Sequence, residues 1–418
     1  MRESCHRQGV PVKFIRESSD TFPFSQPVWA DLPLSLESEM VQAGTWSPQE
    51  WRDLEHKVGW VPPEFLLDDR VPRHHEGPQR VFHSRRSSWN TDMRLELARL
   101  NSDCNQQIIR HMQSVDVLVV CGISATLLAY LSGTPYVIWP HGGDVRAAAE
   151  FISWWNVRTR NDVVWFLRGK HLRLAYDRAL FVGSHDPSGV GGGFTSVPYR
   201  IEYFPIPEFV TTNRTCREER HNDLRFLFGE LGISLPNAAN YLFVPSRIDY
   251  RWKGTDGLVE ALLKVNLRNS VVVFSGWGVD FPDARQRLKD VPSVVFLDRA
   301  LSRYSLNTVV RCSDVVIDQF VMGTYGTAAT EALSQGTPVM MHLQSSHFDR
   351  KRWDPPPVLE ATTSEDIESL LRRIDDFDVD FEPLGGRTLD WARQYVSEEV
   401  TVPMIMTRIT ETLCQKES

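Results

Sequence analysis

A glycine-rich segment in the second half of this 418-residue chain has residue types and spacing that suit phosphate binding. The segment GTYGTAATEALSQGTPVMM (323–341) predicts a turn, a short helix and then a buried strand. The first amides of that helix, near Gly326 and Thr327, lack partners within the helix and lie at the positive end of its dipole, so they could bind a diphosphate. Glu331, about one turn further on, could accept hydrogen bonds from a ribose diol. The alternative is an ordinary strand-to-helix turn with a partly exposed glutamate.

Two cations flank a short loop that follows another predicted strand. In VPSRIDYRWKGTDGL (244–258), Arg247 and Lys253 lie on either side of this loop, which ends at Gly254 before a helix begins. An arginine offers a planar set of donors and a lysine a compact charge, so together they could clamp a diphosphate. The alternative is a basic loop that faces solvent.

A third predicted strand is followed by SGWGVD (275–280), in which Gly276 and Gly278 would let the backbone approach another group closely. This motif is weak when taken alone. Three such strand ends in one half of the chain favour a nucleotide pocket, because parallel sheets bind ligands beyond the carboxyl ends of their strands.

The first half of the chain contains one comparable segment, IWPHGGDVR (138–146). His141 follows a predicted strand and precedes Gly142, Gly143 and Asp144, so its imidazole would lie where the backbone is free to bend toward a ligand. A single histidine is more often structural than catalytic, and both roles stay open from these residues alone.

Short apolar runs alternate along the chain with helix-like segments that would position these motifs. Aliphatic runs without strict alternation are typical of strands buried on both faces, so the pattern predicts parallel sheets in an α/β protein. Predicted helices include 255–267 and 363–374, the second with Thr363 or Ser364 as its N-cap. Residues 211–225 are polar and lack periodicity, which predicts a linker. The predicted strands lie within 115–120, 134–140, 178–184, 200–207, 240–246, 270–276, 293–298, 314–320 and 337–341.

The composition argues against several classes of protein. The net charge of -8 disfavours a general nucleic-acid binder, and no apolar run reaches the roughly 18 residues that a membrane span requires. The six cysteines are scattered without a C-x-x-C pair, which argues against a zinc site or a disulfide framework and favours reduced thiols in the cytoplasm. The polar N-terminus is not typical of a signal peptide. The length favours two domains.

Taken together, the segments resemble a large family of glycosyltransferases of the GT-B fold, the group-one family (family four). Its members use nucleotide sugars and retain the configuration of the transferred sugar. The resemblance rests on PSRIDYRWKG, SGWGVD, YGTAATEALSQGTPV and PHGGD, and it covers roughly residues 110–410. It implies two facing Rossmann-like domains, the N-terminal one incomplete. The N-terminal acceptor-side domain would span 1–210 and the nucleotide-sugar-binding domain 226–385, with the linker at 211–225 between them. Residues 386–418 would form helices that pack back on the N-terminal domain.

The resemblance also implies a role for each candidate residue. Arg247 and Lys253 would hold the diphosphate and offset the charge of the leaving group, which is electrostatic catalysis without a metal ion or another cofactor. Glu331 would bind the ribose, and His141 would approach the donor sugar and the reacting carbon. The residues implied in donor binding are Gly276, Gly278, Gly323, Tyr325, Gly326, Thr327 and Glu331, and those implied on the acceptor side are Gly142, Gly143 and Asp144.

Three features depart from the family pattern. Members often have a glutamate eight residues before the position of Glu331, and this chain has Gly323 there. The spacing from Arg247 to Lys253 is one residue longer than the common form. The family's first strand and its glycine-rich acceptor loop are not recognisable near GVPVKFIRE. The later loop SGVGGGF (188–194) is interpreted as a flexible loop, because it lacks the Lys-Ser/Thr of a phosphate-binding motif.

Residues 151–178 combine three tryptophans with six arginines or lysines and two aspartates. This composition resembles a helix that lies in a membrane interface. The favoured alternative is an ordinary helix that packs on the sheet with its basic residues in solvent. An interfacial helix would make the protein peripheral at the inner face of the membrane, with a lipid-linked glycan as a candidate acceptor.

The predicted function is therefore transfer of a sugar from a nucleotide-diphosphate donor to a glycan, a glycolipid or another acceptor, with retention of configuration. Two alternatives stay open. A sugar-nucleotide epimerase of the same fold would need a pair of acid–base carboxylates that these motifs do not offer. A catalytically inactive GT-B binding or scaffold subunit is favoured by Gly323 and by the missing glycine-rich loop.

Overall fold

The computed structural model describes a large part of the chain, in two compact units. The four-stranded unit comprises the described residues from 109 to 205 and from 403 to 417. The six-stranded unit comprises residues 7–10 and the described residues from 206 to 402. The described residues are 7–10, 109–110, 112–140, 172–184, 201–211, 214–297, 301, 303–348 and 353–417.

The sheet of the four-stranded unit is parallel throughout, as the apolar runs predict. Helix α1 (Ile123–Ser132) connects its first two strands and ends at Gly133, which has a φ of 72° that favours glycine. The strands lie side by side in chain order: β1 (Leu118–Val120), β2 (Tyr136–Ile138), β3 (Val182–Ser184) and β4 (Ile201–Tyr203).

Both faces of this sheet are covered at strand β2. Tyr136 and Ile138 join an apolar cluster with α1 and the helical residues 172–178. Val137 and Trp139 point the other way and join a cluster with Phe181, Phe204 and the C-terminal helix residues Ile405 and Ile409. Successive side chains of a strand lie on opposite faces, so a continuous apolar run is the pattern that a sheet with two buried faces requires.

The sheet of the six-stranded unit is also parallel and has its strands in the order β10-β9-β8-β5-β6-β7. The chain runs outward from β5 to β7 and then returns to the other side of β5, which creates a switch point between β5 and β8. The strands are β5 (Asn240–Val244), β6 (Ser270–Phe274), β7 (Val294–Phe296), β8 (Val315–Ile317), β9 (Val339–Met341) and β10 (Leu359–Glu360).

Helices connect these strands and share their apolar core. Leu258 and Leu262 of one helix pack with Ile367 and Leu371 of another in the main cluster. The helices are α2 (Arg217–Glu230), α3 (Tyr250–Lys253), α4 (Thr255–Lys264), α5 (Phe281–Arg287), α6 (Arg303–Cys312), α7 (Thr327–Ser334), α8 (Ser364–Asp375), α9 (Phe381–Tyr395) and α10 (Glu398–Glu417). From Pro403 onward, α10 belongs to the four-stranded unit.

The predicted cap of α8 is confirmed as Thr363. Its Oγ1 accepts the N–H of Asp366 at 3.2 Å, and the Asp366 carboxylate accepts the N–H of Thr363 at 2.9 Å. This reciprocal pair satisfies two of the amides that the start of a helix leaves without partners.

The linker predicted over 211–225 is wrong for most of its length, because α2 begins at Arg217. Two of the four buried residues of α2 are charged or polar: Arg220 and His221 face the buried carboxylate of Asp314. A helix with such a face has no apolar periodicity, so the sequence pattern did not reveal it.

The predicted domain boundaries themselves stay a prediction. Within 386–418, residues up to 402 cluster with the six-stranded unit and later ones with the four-stranded unit.

Candidate functional site

The residues predicted to bind a diphosphate lie on two loops that leave neighbouring strands. Residues 245–254 follow β5 and lead into α4, and residues 318–326 follow β8 and lead into α7. Because β5 and β8 are paired and parallel, their carboxyl ends lie side by side at the switch point of the sheet. Parallel sheets bind ligands at such a position.

Lys253 is held at this edge by a buried carboxylate. Its Nζ donates to Oδ1 of Asp318 at 2.9 Å, and the hydroxyl of Ser246 donates to the same oxygen at 2.6 Å. The N–H of Phe320 also donates to the carbonyl of Lys253 at 2.8 Å. Asp318 is 1% exposed, whereas the Lys253 side chain is 23% exposed. The ammonium therefore has a defined position with one side open to solvent.

The start of α7 lies next to this ammonium. Gly326 is the N-cap residue, and a methyl group placed on it would be 3.9 Å from Lys253 Nζ and 3.8 Å from Asp318 Oδ2. No side chain of the described residues caps the helix, and Thr327 at its first position is exposed. The ammonium and the amide end of the helix therefore converge, as a phosphate site requires.

Arg247 lies on the same loop as Lys253 and pairs with Asp249. The Arg247 Nε is 3.1 Å from Oδ2 of Asp249, and the arginine side chain is 44% exposed. The other carboxylate oxygen of Asp249 accepts the N–H of Trp252 at 2.9 Å and caps α3. Each predicted phosphate-binding cation thus has a carboxylate partner. Because each cation is paired with a carboxylate, the amides and dipole of α7 would supply much of the attraction for an anion.

Gly278 approaches protein backbone closely. It has a φ of +124°, and a methyl group on it would lie 2.3 Å from the carbonyl oxygen of Ile248. The N–H of Ile248 donates to the Trp277 carbonyl at 2.9 Å, and the N–H of Asp280 donates to the Ile248 carbonyl at 3.2 Å. The close approach predicted for SGWGVD is therefore made to the loop 245–254, which follows β5. A direct donor contact for Gly278 or for the buried Gly276 stays a prediction.

Gly323 has a packing reason to be glycine where the family pattern often has glutamate. Its φ is +67°, and a methyl group on it would lie 2.9 Å from Cβ of Gln344. The N–H of Gln344 donates to the Gly323 carbonyl at 2.8 Å. A glutamate at this position would require both a left-handed backbone and the displacement of Gln344.

The side chain of Tyr325 belongs to the core of the six-stranded unit. Its ring centroid lies 5.9 Å from that of Phe348 and 5.6 Å from that of Trp391 in α9. The tyrosine is buried, so its ring anchors the loop before α7 on α9. The donor contact predicted for Tyr325 would therefore be made by its backbone.

Glu331 is a buried residue in the middle of α7. It is 6% exposed, which differs from the partly exposed glutamate of an ordinary strand-to-helix turn. Burial of a carboxylate is costly unless other groups satisfy it, and Glu331 does interact with other groups of the protein. Its contact with a ribose stays a prediction.

Sequence reasoning missed Gln319, which holds the loop between β8 and α7 together. Its amide Nε2 donates to the carbonyls of Thr324 and His342 at 2.6 and 3.1 Å. Its Oε1 accepts the N–H groups of Val321 and Met322 at 3.0 and 2.6 Å. The signal for Gln319 and its neighbour was the polar pair DQ directly after the buried run VVI. Polar side chains at a parallel strand's carboxyl end are candidates for site residues.

Several predictions concern residues outside the part of the chain that the structure describes. His141 and the three residues after it are among them, as are 151–171, the loop at 188–194 and the predicted absence of a first strand. Within the described part, no helix is long and apolar enough to cross a membrane. The same part holds no group of three or more His, Cys, Asp or Glu residues arranged to hold a metal ion.

Comparison with known proteins finds similarity in structure. No model of a protein family matches the sequence, and no curated protein matches it. HepE from Anabaena, in complex with UDP and glucose, is 14% identical, with 73% of this chain and 80% of that chain covered at a TM-score of 0.52. Sucrose-phosphate synthase from Thermosynechococcus elongatus is 13% identical, with 77% and 79% covered at a TM-score of 0.54.

These likenesses confirm the predicted fold class: the chain has the GT-B fold, an α/β fold with two parallel sheets. A second structure of HepE, in complex with UDP-glucose, agrees at 15% identity and a TM-score of 0.51, with 74% of this chain and 81% of that chain covered. At this level of identity the likeness shows a fold, and a fold alone does not determine an activity.

Proposed function

We propose that this protein is a glycosyltransferase that moves a sugar from a nucleoside-diphosphate donor to a glycan, a glycolipid or another acceptor. The observation that carries the proposal is the convergence of Lys253 Nζ with the start of α7, at the switch point between β5 and β8. A diphosphate at that position would accept hydrogen bonds from the ammonium and from the helix amides. Because HepE was solved with UDP and glucose, UDP is the first candidate nucleotide.

The proposed reaction retains the configuration of the anomeric carbon. The bond from that carbon to the diphosphate breaks, a bond to the acceptor oxygen forms on the same face of the sugar, and the acceptor proton is released. The departing diphosphate gains negative charge, which Lys253, Arg247 and the amides of α7 would stabilise without a divalent metal. We place His141 beside the reacting carbon and Glu331 at the ribose.

A nucleotide panel tests the donor site. Thermal unfolding of the full chain is measured with UDP, GDP, ADP and dTDP, and the matching sugar nucleotides are then tested for hydrolysis and transfer. One nucleotide is expected to stabilise the protein by about 2.7 kcal/mol at a concentration of 100 times its Kd. The same nucleotide should be released from its sugar donor. If none of the four stabilises the protein, the proposed donor site is wrong.

A catalytically inactive binding subunit of the same fold is the second candidate, and Gly323 favours it. In the family that the sequence resembles, the position of Gly323 often carries a glutamate that contacts the sugar. In this chain it is a glycine packed on Gln344. A binding subunit would be stabilised by a nucleotide but would neither hydrolyse nor transfer from any sugar donor. Turnover by the purified chain would exclude this candidate.

We further propose a cytoplasmic location. Peripheral contact with the membrane through 151–178, with a lipid-linked glycan as acceptor, is a second candidate beside the favoured interpretation, in which this segment packs on the sheet. The support is the composition of that segment, which has three tryptophans and six basic residues. Sedimentation with anionic phosphatidylserine vesicles and with neutral phosphatidylcholine vesicles tests it. Binding to the anionic vesicles that salt weakens is expected of membrane contact, and absence of binding to both would contradict it.

A further inference from the structure

Asp318 is a buried carboxylate at the candidate site with only one of its oxygens in a hydrogen bond. Oδ1 accepts from Lys253 Nζ at 2.9 Å and from Ser246 Oγ at 2.6 Å. Oδ2 has no hydrogen-bond partner among the described residues, although Asp318 is almost completely buried. Buried polar atoms without partners are rare in native proteins, so this one singles out Asp318 as a residue whose role is worth testing.

The backbone around Asp318 leaves the carboxylate little freedom. Its N–H donates to the Met340 carbonyl in β9 at 3.1 Å, and the next residue, Gln319, holds the following loop through four hydrogen bonds. Ser246 restrains Oδ1 from the end of β5. The carboxylate is therefore a rigid group, whereas a lysine has a flexible four-carbon side chain that would otherwise sample many positions.

We propose that Asp318 is a positioning residue that holds the Lys253 ammonium beside the first turn of α7, where the donor diphosphate would bind. A methyl group on Gly326 would be 3.9 Å from that ammonium and 3.8 Å from the free oxygen of Asp318. The inference rests on the proposed function, because it concerns the same diphosphate. Asp318 acts through Lys253 and does not itself contact the donor.

A positioning role makes the hydrogen bond to Lys253 more important than the negative charge of Asp318. An asparagine keeps an acceptor oxygen for Lys253 and Ser246, and it places an N–H donor near Gly326 instead of an oxygen without a partner. An alanine removes the acceptor. We expect Asp318→Asn to bind UDP within about threefold of the wild type. Asp318→Ala should bind it about tenfold more weakly, the order of one charge-assisted hydrogen bond.

A double-mutant cycle separates action through Lys253 from a direct effect on the ligand. Lys253→Met removes the ammonium, and in that background Asp318→Ala should change the UDP affinity by less than about twofold. The affinities are measured by titration calorimetry on the full chain, and thermal unfolding shows whether each variant is folded. An equal loss in both backgrounds would mean that Asp318 acts directly on the ligand. Tighter binding by the double variant than by Lys253→Met would mean the same, and either result overturns the proposal.

Asp314 offers a matched control, because it is a buried carboxylate directly before β8, at the other end of the strand that Asp318 follows. Asp314→Asn should lower the melting temperature and leave the UDP affinity unchanged. If Asp318→Ala behaves in the same way, its role is structural and the proposal is wrong.

If the wild type binds none of UDP, GDP, ADP and dTDP, the proposed function fails. If it binds one that Asp318→Ala does not weaken, only the positioning role fails.

Discussion

At the scale of single residues, Lys253 is the side chain on which the proposed donor site depends most directly. Lys253→Ala should weaken UDP binding about 10- to 100-fold, because a hydrogen bond to a charged group contributes about 1.5–3 kcal/mol. Titration calorimetry measures the change. Lys264→Ala, at the exposed end of α4, is the control and should bind as the wild type does. Unchanged affinity of Lys253→Ala would place the diphosphate elsewhere.

Gly278 allows a prediction about stability. Gly278→Ala should destabilise the protein, because the methyl group would overlap the backbone of Ile248 at 2.3 Å and the residue has a φ of +124°. The backbone conformation alone would cost about 1–3 kcal/mol. Denaturant unfolding measures the loss.

Gly229→Ala is the matched control for that substitution. Gly229 lies in helix α2, with nothing within 4 Å of an added methyl group. The change should stabilise the protein by up to about 1 kcal/mol, because alanine is the better helix former. Equal effects of the two substitutions would show that the contact between the β5 and β6 loops is not tight.

At the scale of secondary structure, strand β8 joins a structural cluster at one end to the candidate site at the other. Asp314, directly before the strand, accepts hydrogen bonds from His221 at 2.8 Å, from the Tyr241 N–H at 2.9 Å and from Arg217 at 3.1 Å. Arg220 lies 3.6 Å from the same carboxylate. Burial alone would raise the pKa of Asp314, but these donors and charges outweigh it and hold the pKa below its ordinary value.

The direction of this pKa shift predicts a pH dependence of stability. Because the folded state holds the Asp314 pKa below the unfolded value of about 3.9, the carboxylate contributes stability that is complete above that pH and is lost as the pH falls further. The melting temperature should therefore drop between about pH 4 and the lower folded-state pKa. Asp314→Asn should melt lower at neutral pH and show a shallower acid dependence. Parallel curves for the two proteins would contradict the prediction.

The elements that apolar patterning could predict are those whose partners are also apolar. Each predicted strand run contains an observed strand. The strands whose residues are all buried are the ones that need continuous aliphatic residues, and they include β2, β5, β6, β8 and β9. The pattern missed α2, whose buried face includes Arg220 and His221, and the short strand Leu359–Glu360, which is not fully buried. Hydrophobic periodicity carries no information about a helix that buries charges against a distant carboxylate.

The residues of the candidate site also fall into those that the sequence could predict and those that it could not. The amides at Gly326 and the cation Lys253 could be predicted, because a helix start and a loop cation are local features of a sequence. Asp318 and Gln319 could not, because their importance depends on partners that only the fold brings near. Lys253 and Asp318 are 65 residues apart in the chain, and nothing in either segment alone indicates that they pair.

At the scale of the whole molecule, the last helix completes the four-stranded unit. Ile405 and Ile409 pack with Trp139 and Phe181, and Arg408 forms two hydrogen bonds to the carboxylate of Glu202 at 2.5 and 2.6 Å. These contacts cover one face of a sheet built from residues far earlier in the chain.

A chain that ends after residue 402 should therefore lose stability in this unit. Burial of the two isoleucines alone contributes about 3–6 kcal/mol. Earlier thermal unfolding and increased binding of the dye ANS are expected, with a chain that ends after residue 414 as the control. Unfolding curves that coincide would show that the helix is not needed.

This division of one core between two distant segments sets an order for folding on the ribosome. The residues from 206 to 402 form one contiguous part of the six-stranded unit, whereas the four-stranded sheet needs residues 403–417, which are made later. At typical synthesis rates of about 5–20 residues per second, the intervening 197 residues (402 − 206 + 1) take about 10–40 s to translate. During that time Val137 and Phe181 lack their final covering, so the four-stranded unit, whose strands are made first, is expected to finish folding last.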